Sequence, residues 1–178
     1  MKNTQKIALC GVFGALSVTV MLLGSIIPFA TYMCPAIAAF FLLPVVFEYG
    51  EKTGFTLYAA VSVLSLLFVA EKEFALIYVL IFGLYSVFKF KADKIKPFVL
   101  QMTFKTLFAV IGILACYGLL LFVFPSPVLL NDFEGFTVWL AAIFVVMLTV
   151  TFLLYDFAAG KIFLLYRIKL RPKLVKKQ

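Results

Sequence analysis

Charge is sparse along this chain, and the stretches between charges are about as long as a bilayer is thick. That pattern constrains the fold more than any other feature. A helix crossing a ~30 Å hydrocarbon core needs about 20 predominantly apolar residues. Residues 7–27 contain no charge at all, and further apolar stretches cover about 30–48, 54–70, 74–90, 98–124 and 137–158. Composition excludes a soluble alternative: 65% of residues are hydrophobic and 13% charged, against about half and about a quarter in soluble domains. The expected fold is all-α, a polytopic membrane protein with six transmembrane helices in a single domain over residues 1–178. Residues 159–178 extend the last helix as a basic tail. Pro44 is expected to bend the second span. The first stretch follows Lys2 and Lys6 as a signal peptide would, but its length and the apolar segments after it mark a retained helix.

Charge sets the expected orientation. With six spans, one side of the membrane receives Lys2, Lys6, Lys52, Lys89, Lys91, Lys94, Lys96 and the seven basic residues from Lys161 to Lys177. The other side receives only Lys72. Basic residues accumulate on the cytoplasmic side, so both termini are expected there, in a multi-pass protein of the plasma membrane. The opposite loops are residues 28–35, the turn "EKE" at 71–73, and residues 125–136. The turn stands out because 18 residues before it and 15 after it lack charge.

The net charge of +8 fits a basic rim on anionic lipid. Basic motifs interleaved with aromatics, the mark of RNA binders, are missing, so nucleic acid is not an expected partner. The chain has no histidine, and Cys10, Cys34 and Cys116 stand apart. That inventory predicts no metal site and no cofactor. No P-loop or hydrolase motif occurs, and the rims lack a carboxylate dyad for acid–base work. The chain is therefore not expected to be an enzyme.

On the first helix, Ala8, Gly11 and Ala15 recur at spacings of three and four and share one face. Small residues let helices approach closely in lipid, either within this chain or against another membrane subunit. With its length and expected topology, this face resembles the substrate-binding S components of energy-coupling factor (ECF) transporters, in which the first helix often carries Ala-x-x-x-Ala. Here the pattern is Gly11-x-x-x-Ala15. The resemblance implies a bacterial membrane subunit that captures a vitamin or other small molecule from outside, and that docks a transmembrane coupling protein and its ATPases through helix 1. A non-transport scaffold or accessory subunit of a cell-envelope complex is the other expectation.

On the side opposite the basic rim, Tyr32, Glu71, Lys72, Glu73, Tyr78, Asn131, Asp132 and Trp139 are the candidate substrate-binding residues. Lys72 would meet an anionic group, the carboxylates an amine, and Tyr32 or Trp139 a ring. Plain readings stand beside these: a solvated turn, and aromatic anchors at the interface. Lys105 and Asp156 are the candidate intramembrane charges. Lys105 lies eight residues beyond Pro97 and either snorkels to the headgroups or pairs with Glu48 or Asp156. Gln101 lies one turn before it on the same face.

Overall fold

The computed structural model describes residues 2–25, 33–94, 96–123 and 138–170. Among these the architecture is helical throughout: α1 (Lys2–Gly24), α2 (Met33–Phe40), α3 (Leu42–Phe68), α4 (Lys72–Ala92), α5 (Phe98–Val123) and α6 (Val138–Leu165). Helices fit this composition because they satisfy their own backbone groups where lipid offers no partners. The polar residues inside them follow the same economy. Thr103, Thr149 and Thr151 each donate a hydroxyl to the carbonyl four residues earlier.

Four of these helices, α1, α4, α5 and α6, are long and apolar enough to cross a membrane, and α2 with α3 counts as a fifth across a 54° bend. The surface agrees with lipid as solvent. Ile7, Leu67, Val99 and Phe122 are 72%, 70%, 73% and 88% exposed, a density of outward apolar side chains that a protein in water avoids.

Inside α3 the path departs from a straight rod. Gly50 has φ +81°, a backbone conformation natural to glycine and costly for residues with a Cβ. A Cβ on Gly54 would stand 3.4 Å from Cα of Val46 and collide with that valine's side chain. Eight residues of straight helix would hold the two about 12 Å apart. The axis therefore folds back at Gly50. The bend expected at Pro44 is displaced to Phe41, between α2 and α3.

Before Gly50 the chain runs antiparallel to α1. Gly24 meets Cys34, Ser17 donates to the Ala38 carbonyl at 2.7 Å, and Phe13 packs on Phe41. After Gly50 it runs back along α1, with Leu57 and Val61 seated over Gly14, and then pairs with α4. The central element is α4, 67% buried over its apolar window against 17% for α1. Phe74, Tyr78 and Tyr85 on its inner face are among the largest fully buried side chains, together with Phe152 of α6.

Midway along α4 the helix widens into a π-helical stretch, Tyr78–Gly83. The wider register shifts backbone partners. The Tyr58 hydroxyl donates to the Val79 carbonyl at 2.7 Å, and its ring lies 3.0 Å from where a Gly83 Cβ would stand. A second π stretch, Tyr166–Leu170, continues α6. The last helix thus continues past residue 158 to Leu170, within the stretch expected as its basic helical extension, whose residues 171–178 lie outside the described ones.

Candidate functional site

The densest polar cluster lies at the basic end of the bundle, where α4, α5 and α6 converge. Tyr85 and Lys89 stand one turn apart on α4, and Asp93 follows one turn later. Gln101 and Lys105 are one turn apart on α5, and Asp156 faces them from α6. The Lys105 ammonium donates to Asp156 Oδ2 and to Asp93 Oδ1, each at 2.7 Å. Lys89 forms a close ion pair with Asp156 Oδ1, donates to the Asp156 backbone carbonyl at 3.2 Å, and approaches Asp93 at 3.4 Å. The Tyr85 hydroxyl adds a 2.6 Å bond to Asp156 Oδ1. Gln101 donates to Asp93 at 3.0 Å.

The balance is two cations against two anions, with both lysine side chains at 3–4% exposure and Asp93 at 39%. Such a cluster persists in low dielectric because each charge is paired and hydrogen-bonded, and removing one partner strands the others. Of the two readings of Lys105, the structure has the paired one, and the partner is Asp156. Sequence reasoning placed Lys89 on the solvated rim and gave Asp93 no role. Lys161, five residues after Asp156, lies over the Phe157 ring at 5.5 Å.

At the other end, the turn residues are occupied within the fold. Lys72 Nζ donates to the carbonyls of Leu66 and Val69 at 2.9 and 3.1 Å, satisfying groups that the end of α3 leaves free. Glu73 accepts from the Tyr117 hydroxyl at 2.9 Å, tying the start of α4 to α5. Glu71 is exposed in extended backbone. Tyr78 is brought to none of these: its side chain is 0% exposed in the bundle core, and its hydroxyl has no partner among the described residues. Tyr32, Asn131 and Asp132 lie outside the described residues. Trp139 sits in the first turn of α6, and its side chain is likewise outside them. Among the described residues no three His, Cys, Asp or Glu side chains gather closely enough to hold a metal ion.

Gly11 and Ala15 on the small-residue face of α1 point away from the bundle, while Ala8 borders a groove lined also by α2, α3 and α6. Ala8, Gly11 and Ala15 are all exposed, and a Cβ on Gly11 would meet nothing within 4 Å. The internal role falls to Gly14, where a Cβ would come within 2.9 Å of Leu57. Periodicity revealed the face, but not which way it turns.

These features define a class: an all-helical protein whose apolar helices suit a membrane. No protein-family model, curated protein or solved structure is significantly similar to this chain.

Proposed function

We propose that this chain is a membrane-embedded subunit that joins a larger assembly through the open face of α1, and that the assembly is an ECF-type uptake transporter in which it captures a small molecule. The observation that carries the reading is the exposure of Ala8, Gly11 and Ala15 while neighbouring Gly14 packs inward. A face of small residues that the described residues of its own bundle leave unoccupied suits a close-packing partner helix.

In this reading the chain crosses the membrane six times, with both termini cytoplasmic. The reversal at Gly50 supports separate crossings before and after it, and the positive-inside bias supports the orientation. Substrate would enter from the end that carries Glu71.

The second reading is a scaffold or accessory subunit that docks through the same face without a ligand. It is favoured by the internal engagement of Lys72 and Glu73, which leaves fewer free groups at that end. The test is affinity purification in mild detergent with an ECF coupling protein and its ATPases. The transporter reading predicts a stable complex that Gly11→Leu disrupts without lowering the melting temperature of the isolated chain, together with a small molecule retained in native mass spectrometry. Absence of both complex and ligand would refute it. A complex with other envelope proteins, equally sensitive to Gly11→Leu, would select the scaffold reading.

A further inference from the structure

Between α1 and the end of α6 the bundle leaves a lateral groove of about 750 Å³. Its lining is graded. Gln5, Tyr49 and Tyr166 lie toward the basic end, while Val12, Phe13 and Phe41 lie deeper. From Gln5 to Phe13 α1 rises about 12 Å. That is most of the ~15 Å that one leaflet contributes to a ~30 Å hydrocarbon core. The groove thus has the depth of a single leaflet and the polarity of an amphiphile, polar at the mouth and aromatic below. A partner helix spanning the membrane would need a track about twice as long.

The residues that flank the mouth in sequence are basic. Lys6 follows Gln5 on α1, half-buried, and Lys169 comes three residues after Tyr166, exposed; neither is itself part of the lining. Two carboxylates stand in the same neighbourhood. Glu51 is engaged by Lys91 at 2.5 Å, and Glu48, beside Tyr49, has interactions of its own.

We propose that this groove is a binding site for one anionic phospholipid of the leaflet at the basic end. Its acyl chains lie along Val12, Phe13 and Phe41, and its phosphate sits between Lys6 and Lys169. The groove shares Ala8 with the small-residue face of α1, while Gly11 and Ala15 lie outside its lining. Gly11→Leu therefore separates the two sites: it should leave lipid retention unchanged while blocking a partner helix.

The experiment is native mass spectrometry of the full chain, equilibrated in detergent with equimolar phosphatidylglycerol and phosphatidylcholine. The expected result is one retained lipid per chain, with phosphatidylglycerol strongly favoured. A basic residue near the surface contributes about 1 kcal/mol toward anionic lipid, so Lys6→Gln and Lys169→Gln should each reduce the preference about fivefold. Leu165→Trp, which adds bulk to the lining, should reduce retention, and a thermal melt of each variant confirms that it is folded. Equal retention of the two lipids would overturn the proposal. So would undiminished retention in a folded Leu165→Trp chain, or a protein cross-linked in the lipid's place from a photoreactive residue at position 165.

Discussion

At the basic end, four charges from three separate parts of the chain neutralise one another, with both lysines enclosed. At the opposite end, three consecutive charges are dealt with locally: Lys72 on the carbonyls that close α3, Glu73 on a tyrosine, and Glu71 in the open. The difference lies in what each arrangement must hold. The turn only has to end one helix and begin the next. The cluster joins α4, α5 and α6, with the Ser86–Tyr155 hydroxyl pair beside it at 2.6 Å, and its partners lie up to 71 residues apart in sequence. Conspicuous charge in a sequence can thus mark an ordinary connection, while scattered single charges build the expensive feature.

The comparison can be broken most sharply at Asp156. Asp156→Leu removes the more enclosed of the two carboxylates that face both lysines, leaving only the exposed Asp93, and should destabilise the protein by about 3–5 kcal/mol, read as a large loss in thermal stability by fluorescence-detected size exclusion. Retained stability would show that the cluster is dispensable. Lys105→Met should cost less, about 2 kcal/mol, because Lys89 still faces both carboxylates. Combined with Asp156→Leu in a double-mutant cycle, it should reveal a coupling of about 1–3 kcal/mol, and strict additivity would contradict a shared network. At the turn the effects shrink. Tyr117→Phe removes one hydrogen bond to Glu73 and should cost about 1 kcal/mol in a reversible unfolding titration. Lys72→Met should cost still less, about 0.3–1 kcal/mol, and a loss as large as that of Asp156→Leu would erase the distinction between the ends.

The helices were legible in the sequence because lipid imposes a length and an exclusion of charge that side chains must record. Gly50 had no such signature: a glycine in a short polar stretch is compatible with a loop, and its positive φ followed only from the coordinates. The small-residue face was legible as a period of three and four, but its direction depends on which helix occupies the other side, and one helix does not encode that. Lys105 could be flagged by its depth, whereas its partnership with Asp156 and Asp93 depends on how three helices are rotated about their axes. The π-helical stretch at Tyr78–Gly83 left no trace in the apolar pattern, because every residue from Tyr78 to Gly83 suits a buried helix of either pitch.

The ionic cluster has a consequence for biogenesis. A chain made from its N-terminus delivers Lys89, Asp93 and Lys105 to the membrane before Asp156, which comes 51 residues after Lys105. Until then two ammonium groups share one carboxylate. A polypeptide halted before α6 would hold an excess positive charge between α4 and α5, at the cost of a buried charge left without its partner. Completion of α6 neutralises it in one step.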